Sequence, residues 1–460
     1  MDRLIMVSGD SHAQPPPEVW DTYVEPRYRD LLPRLRGENV QFTEVMGRLF
    51  VDRTHADAEV FDLDGTYRSA GIAGLWDLDA RLAQMDREGV AAELVYNGDS
   101  RVTGLFFQPS NSRYPDDVCE AGVRAHHRWV HDTFSAAPDR VLLVGVTGHA
   151  PCRDMDATLA ETRWLADHGF VGIVAPGMTG YADQPPLHDP HYDPLWSLCE
   201  EIGFPVIVHA GWGPQAGLFF DEIARVHTGM VEAGGPTPEL LDGFTNAVMA
   251  TKFFSSVGTR RPLWQMTMGG VFDRHPNLRV LLTEIRADWL PATLGHLDAI
   301  YDEHRGDMPA RRRPSEYWAT NCMTCLSFAH RAEIEMRDEI GVDTLAFGRD
   351  YPHPEGTWPN TLDWLRAALA GVGETDVRKV LGENLLQFLR LDRDRLAVIA
   401  ERIGPSIDDL VGDVPLPSAG LVGHFDQRGG YLKAAEGATR LGELDEMLDA
   451  DLGALLRTPS

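Results

Sequence analysis

Short runs of β-branched and other apolar residues alternate along the chain with longer stretches whose apolar positions recur at helical period. Leu4–Ser8, Ala91–Tyr96, Val141–Val146, Val171–Ala175, Pro205–His209, Leu278–Thr283, Thr320–Leu326 and Thr344–Gly348 read as strands. Arg81–Glu88, Val118–Ala136, Met155–His168, Pro194–Ile202, Leu263–Arg274, Leu290–Asp302, Arg331–Glu339 and Thr361–Ala370 read as helices. Strands alternating with helices in this way predict a parallel α/β fold. No Gly-x-Gly-x-x-Gly follows the first strand, so eight units point to a closed (β/α)8 TIM barrel rather than a doubly wound sheet.

Three regions break the repeat. Residues 37–75 contain the β-like runs Val40–Phe42 and Arg48–Val51, which predict a hairpin insertion after the first strand. Residues 210–258 form a long connection rich in Gly and aromatic residues, read as a lid over the barrel mouth. The barrel is expected to span 1–390. Residues 391–460 are expected to form a C-terminal helical extension, with helices at Asp392–Ile403 and Arg440–Leu456 around a Pro/Gly-rich stretch.

Composition narrows the function classes. Asp plus Glu outnumber Lys plus Arg by 70 to 42, a formal net charge of −28. Such a chain is repelled by phosphate backbones and anionic lipid, which argues against nucleic-acid or membrane partners. No apolar run is long enough to span a bilayer, and the first residues read as a strand rather than a signal peptide. Five cysteines, an odd and sparse number, fit a reducing cytoplasmic location. Cys322 and Cys325 form a C-x-x-C with no second pair, so buried thiols are expected there rather than a zinc ribbon.

In a barrel of this kind, functional side chains gather at the C-terminal ends of the strands. The first strand ends in Asp10-Ser11-His12, and alternate residues of an extended chain face one side. The acidic-x-His pattern occurs four times in the chain, but only at Asp10 does it follow an apolar strand. Strand five ends in His209, strand six in Glu284, and strand eight runs into Arg349-Asp350-Tyr351-Pro352-His353. Two Asp and two His suit a divalent first-row ion, zinc foremost and manganese next. Asp350 is placed to hold and deprotonate a metal-bound water.

These residues carry a resemblance. Asp10-Ser-His-Ala-Gln-Pro-Pro-Pro-Glu-Val-Trp20, Ala80-Arg-Leu-Ala-Gln-Met-Asp86, Tyr192-Asp-Pro-Leu-Trp196 and Val208-His-Ala-Gly211 belong to it. So do Gly270-Val-Phe-Asp-Arg-His-Pro-Asn-Leu278, Trp289-Leu-Pro291 and Phe347-Gly-Arg-Asp-Tyr-Pro-His-Pro-Glu-Gly-Thr-Trp-Pro359. From about Val7 to Leu391 the chain resembles the second amidohydrolase family, metal-dependent barrel enzymes related to aromatic-acid and aminocarboxymuconate-semialdehyde decarboxylases. The resemblance implies that Asp10, His12, His209 and Asp350 hold the metal, with Asp350 doubling as base. It implies that Glu284 is an acid/base or a further metal contact, and that the chain forms a homodimer. The chain departs from the family pattern at Pro15, where many relatives carry Glu, at Ile285-Arg286, and at Arg349, where a small residue is usual.

Arg286 and Arg349 flank site carboxylates, where a guanidinium can clamp a substrate carboxylate; ion pairing with Asp288, Asp343 or Asp350 is the alternative. His353 is a candidate to orient a ligand by donating a ring N–H, against a plain packing role. Trp212, Phe219, Phe220 and Trp358 either wall a ring-shaped substrate or simply pack. His126 and His127, adjacent on a helix, diverge too far to share a metal. Glu284 in place of His tilts the expectation toward a hydrolase that opens an amide or lactone of a small, carboxylate-bearing substrate. The alternative is non-oxidative decarboxylation of an aromatic or muconate-type acid at the same site, with Glu284 protonating the carbon. A third class, a metal-stabilised binding protein, gives no chemical reason for keeping four ligands.

Overall fold

Alternation along each strand divides its side chains between two apolar layers, and that division builds the fold. The computed structural model describes residues 3–46, 58–62, 65–66, 71–98, 105–106, 114–147, 152–177, 185–210, 212, 216–235, 237, 240, 257–353, 356–430 and 441–456. Its strands are β1 (Met6–Ser8), β2 (His12–Ala13), β3 (Val90–Asn97), β4 (Val141–Gly145) and β5 (Gly172–Val174). They continue with β6 (Val206–His209), β7 (Val280–Thr283), β8 (Cys322–Leu326) and β9 (Leu345–Phe347). All pair in parallel in the order β1-β3-β4-β5-β6-β7-β8-β9, and β2 adds two residues beside the end of β3. The eight expected strands are therefore all present, together with the alternating helices of a TIM barrel.

The ring closes where β1 meets β9. Gly9 N–H donates to Phe347 O at 2.8 Å, Asp350 N–H to Asp10 O at 3.1 Å, and His12 N–H to Tyr351 O at 2.7 Å. So close an approach requires glycine. A Cβ on Gly9 would stand 2.7 Å from Cys325 Sγ, and one on Gly348 would stand 2.9 Å from the same sulfur and 3.0 Å from Asp10 Cβ.

Val7, Leu94, Tyr96, Leu142, Val144, Val174, Ile207, Leu281, Met323, Cys325 and Ala346 fill the barrel. Their strand neighbours, among them Val95, Leu143, Ile173, Val208, Leu282 and Phe347, pack outward against the helices. Cys322 and Cys325, three apart, fall in the outer and inner layers respectively, and both are buried free thiols. They face opposite sides of one strand and cannot share a metal.

After residue 391, one helix packs on the inner layer of the barrel and another on its outer helices. The helix Arg393–Ile403 is capped by Asp392, whose carboxylate accepts from Arg395 N–H at 3.1 Å. It adds Leu396 and Ala400 to the inner layer. The helix Leu441–Leu456 is fastened by buried Asp451, which accepts from Trp264 Nε1 at 2.7 Å and from Arg261 Nε at 2.9 Å. Among the described residues, no helix is long and apolar enough to cross a membrane.

The hairpin expected within 37–75 is not what residues 37–46 form. Val40–Phe42 lies inside the helix Leu32–Met46, and Gly71–Leu75 is a 3-10 turn. Buried Leu32, Leu35, Phe42 and Val45 recur at helical spacing, and that period outweighs the short β-branched run. Arg48–Val51 lies outside the described residues. In the expected lid, the structure shows the helix Ala216–Ala233, while 241–256 lie outside the described residues.

His126 and His127 are both buried on the helix Asp116–Phe134. His127 Nε2 accepts from Val146 N–H at 2.9 Å, which makes Nδ1 the donor to Glu161 at 2.7 Å. Arg128 holds the other carboxylate oxygen of Glu161 at 3.0 Å. His127 thus ties the end of β4 to the helices Asp116–Phe134 and Met155–Asp167. Burial pushes the Glu161 carboxyl up, but hydrogen bonds from His127 and Arg128 outweigh it and bring it to about 2. A carboxyl held lower in the folded chain than in the unfolded one stabilises the fold above its ordinary range and loses that contribution as pH falls. Glu161→Gln is therefore expected to lower the melting temperature most above about pH 5. The gap to the parent should narrow as pH falls from about 4.5 toward 2, as thermal melts across that window would read.

Candidate metal centre

Parity in β6 puts Ile207 and His209 on the inner face, so the histidine emerges at the mouth of the barrel. The turn after β1 carries Asp10 and His12 to the same end. Between them, Ser11 Oγ donates to Leu94 O at 2.7 Å and ties the turn to β3. Asp350 follows β9 with a φ of +50°, and Glu284 follows β7 with a φ of +58°. This left-handed backbone is strained for a residue with a Cβ, and here it belongs to two side chains with candidate chemistry.

The donor atoms meet at short range. His12 Nε2 lies 3.5 Å from Asp10 Oδ1 and 3.2 Å from Asp350 Oδ1. His209 Nε2 lies 3.4 Å from Asp10 Oδ1. Ligands bound at about 2.1 Å around one ion stand roughly 3.0–3.4 Å apart, so this spacing fits a first-row cation. The tautomers agree. His12 Nδ1 donates to Asn97 O and His209 Nδ1 to Ala210 O, each at 3.2 Å, which leaves both Nε2 lone pairs facing the centre.

Burial is nearly complete, and Asp10 Oδ1, His12 Nε2 and His209 Nε2 have no hydrogen-bond partner there. Buried polar atoms left without partners are costly, and a cation would satisfy these three at once. Burial lowers the His12 imidazole well below its ordinary range, with the nearby His353 and His209 adding to it, so the ring stays neutral as a ligand must. The other oxygen of Asp10 accepts from Ser327 Oγ.

His353 stacks on His12 with centroids 4.0 Å apart, and its Nδ1 lies 3.0 Å from Asp350 Oδ1. His12, Asp350 and His353 form a second possible donor trio that shares His12 with the first. Glu284 Oε2 approaches His209 Nδ1 at 3.5 Å. Below them, Tyr96 donates its hydroxyl to Gly9 O at 3.1 Å. Burial and the Asp10 charge raise its phenol well above the usual range, so it stays protonated.

The sequence model of the amidohydrolase family matches residues 10–391. The chain belongs to that family. The match carries Asp10, His12, His209, Glu284, Asp350 and His353 within one family domain. Over 348 residues the chain is 28% identical to the gamma-resorcylate decarboxylase of Rhodococcus jostii (strain RHA1), covering 72% of this chain and 92% of that protein. It is 23% identical over 338 residues to the 2-amino-3-carboxymuconate-6-semialdehyde decarboxylase of Dictyostelium discoideum, covering 72% and 82%. Its fold matches the dihydroxybenzoic acid decarboxylase of Polaromonas sp. JS666, solved with bound manganese and 2-nitroresorcinol. That match has a TM-score of 0.54 at 16% identity and covers 85% of this chain and 99% of that one. These findings overturn the expectation of amide or lactone hydrolysis drawn from Glu284, because both sequence relatives are decarboxylases. One acidic side chain at a strand end does not separate two chemistries that share a ligand set.

The two arginines and the tryptophans are already engaged by protein groups. Arg349 is wholly buried, with Nη1 on Glu88 and Nε on Glu93 at 2.7 and 2.8 Å, so its guanidinium is already held between two carboxylates. Arg286 is buried on Asp288, Nε to Oδ1 at 2.9 Å, the ion-pair alternative to the substrate clamp. Burial lowers Arg286 to about 10, so it remains charged near neutrality. Trp212 donates its indole N–H to Pro176 O at 3.0 Å from within the outer layer, and buried Trp358 donates to Gln84 at 3.0 Å. The side chains of Phe219 and Phe220 lie outside the described residues.

Sequence reasoning missed Arg81, Glu88 and Glu93. Arg81 Nη1 reaches Glu93 Oε1 at 2.5 Å and Ser11 Oγ at 3.2 Å, and Nη2 donates to His12 O. Burial alone would push Glu93 up, but Arg349 and Arg81 outweigh it and hold the carboxyl below its usual range. The readable signal was one carboxylate inside the otherwise apolar run Val90–Tyr96. His209→Ala is expected to keep the far-UV spectrum while weakening divalent-cation binding by roughly 100-fold or more. Calorimetric titration of the chelator-treated protein with Mn(II) reads that loss.

Proposed function

We propose that this protein is a metal-dependent, non-oxidative decarboxylase acting on a small aromatic or muconate-type carboxylic acid. The observation that carries the reading is the alignment of 72% of the chain with a decarboxylase of which it covers 92%. The buried donor cluster at the barrel mouth supports it, since Asp10 Oδ1, His12 Nε2 and His209 Nε2 face one another with no hydrogen-bond partner.

Asp10, His12, His209 and Asp350 would hold the cation. Manganese is the proposed ion because the Polaromonas structure carries it; zinc would suit the same donors. When bound, the ion would supply a Lewis-acid centre that anchors substrate oxygens and draws charge from them. His353, 3.0 Å from Asp350 Oδ1, is proposed to keep that carboxylate turned toward the centre.

In the reaction, the bond between carbon and its carboxylate breaks, the electron pair stays on carbon, and carbon dioxide leaves. One proton must then reach the vacated carbon. Glu284 is the proposed donor: its carboxyl is buried at the same end of the barrel and next to His209, and solvent restores its proton after turnover.

The test is incubation of the Mn(II)-loaded chain with 2,6-dihydroxybenzoate, 5-carboxyvanillate and 2-amino-3-carboxymuconate semialdehyde in D2O. The expected result is carbon dioxide release from at least one acid, with one deuterium at the carbon that lost it. A metal-loaded protein that releases none from any of the three would overturn the reading. Glu284→Gln is expected to lower kcat by about 10²–10⁴-fold with Mn(II) affinity unchanged. Parallel kinetics and titration calorimetry on that variant separate the two effects.

A further inference from the structure

Four charged side chains lie buried beneath the seam between β1 and β9, in the alternating order Arg81, Glu93, Arg349, Glu88. Arg81 Nη1 to Glu93 Oε1 is 2.5 Å, Arg349 Nε to Glu93 Oε2 is 2.8 Å, and Arg349 Nη1 to Glu88 Oε2 is 2.7 Å. Charges balance within the chain of contacts, two against two. Replacing such a buried network with apolar groups is often neutral or stabilising, so stability alone is a weak reason for it. Glu93 falls on the outward face of β3 with Val95, so the network lies between the barrel wall and its helices, in a layer where Met85, Val95 and Phe134 are apolar.

The ends of the network explain its placement. Arg81 donates to the carbonyl of His12, to Ser11 Oγ at 3.2 Å and to Gly74 O at 2.8 Å. Glu88 Oε1 accepts from Thr361 N–H at 3.1 Å, in the segment that follows the Asp350 loop. Arg349 is bonded in sequence to Asp350, and both guanidinium groups stand over the Tyr351 ring, 5.2 and 4.7 Å from its centroid. One network thus grips the backbone that carries Asp10 and His12 and the backbone that carries Asp350.

We propose that Arg81, Glu93, Arg349 and Glu88 are positioning residues that set the separation between the donors after β1 and Asp350, and so set cation affinity. The proposal deepens the metal-centre reading and rests on it. Ser8 Oγ also joins the two loops, donating to Asp10 O at 2.8 Å and accepting from Arg349 N–H at 3.0 Å, but it ties them at a single backbone point. The backbone bonds at the seam fix neighbouring peptides, whereas the guanidinium forks fix their spacing in two directions.

The experiment uses the full chain with Mn(II) alone as probe. Glu93→Gln removes the central charge at nearly constant shape. Arg81→Lys keeps one positive charge for Glu93 but loses the planar fork that also reaches His12 O. Both variants are expected to keep the parent far-UV spectrum while the Mn(II) dissociation constant rises about 10–100-fold. The Mn(II) electron paramagnetic resonance lines should also differ from those of the parent, reporting a changed ligand geometry. A merely structural network would lower melting temperature and leave the affinity and spectrum of the folded protein untouched. That result in either folded variant overturns the proposal. If Glu93→Gln does not fold, Arg81→Lys decides; failure of both to fold makes the network a folding element and also overturns it. Failure of the metal-centre reading looks different, because the parent itself would then bind no stoichiometric Mn(II).

Discussion

Closing a parallel barrel brings its first and last strands side by side, and in this protein the two loops that leave those strands carry three of the four proposed ligands. Asp10 and Asp350 touch through their backbones at the seam, His12 bonds to Tyr351 O, and glycine stands at positions 9 and 348 where a Cβ would strike Cys325 or Asp10. The donor set is therefore a consequence of closure. His209 joins it from the far side of the ring through the alternation of β6.

The second constraint is electrostatic. Placing carboxylates and imidazoles out of water is unfavourable unless each finds a partner. At the mouth, Asp10 Oδ1, His12 Nε2 and His209 Nε2 have no hydrogen-bond partner, which is tolerable where a cation can complete them. Beneath the mouth, Glu88, Arg349, Glu93 and Arg81 satisfy one another. The two groups differ in what completes them: an ion in one case, the protein itself in the other. That contrast separates the site from its support.

Arg349 illustrates how neighbouring residues part company. It precedes Asp350 directly, yet its guanidinium is buried among carboxylates while the Asp350 carboxylate faces His12 and His353. Asp350 sits at a φ of +50°, and this left-handed turn of the backbone sends the two side chains apart. A substrate clamp at Arg349 would need both residues on the same side.

The strands were legible because apolar runs of five or six residues between turn-forming residues have few other readings, and their count of eight settled on a barrel. Asp10, His12, His209 and Asp350 were legible because each ends such a run, and strand ends in this fold share one face. Val40–Phe42 misled because three residues cannot distinguish a period of 2 from one of 3.6; only the burial of Leu32, Leu35, Phe42 and Val45 together resolved it. Glu93, Arg81 and Glu88 were invisible as a group because residues 12 and 256 apart in sequence become neighbours only once the barrel closes. Local pattern determines which residues face inward, since that depends on alternation alone. Which inward or buried charges meet depends on strand order and closure, and those are properties of the whole ring.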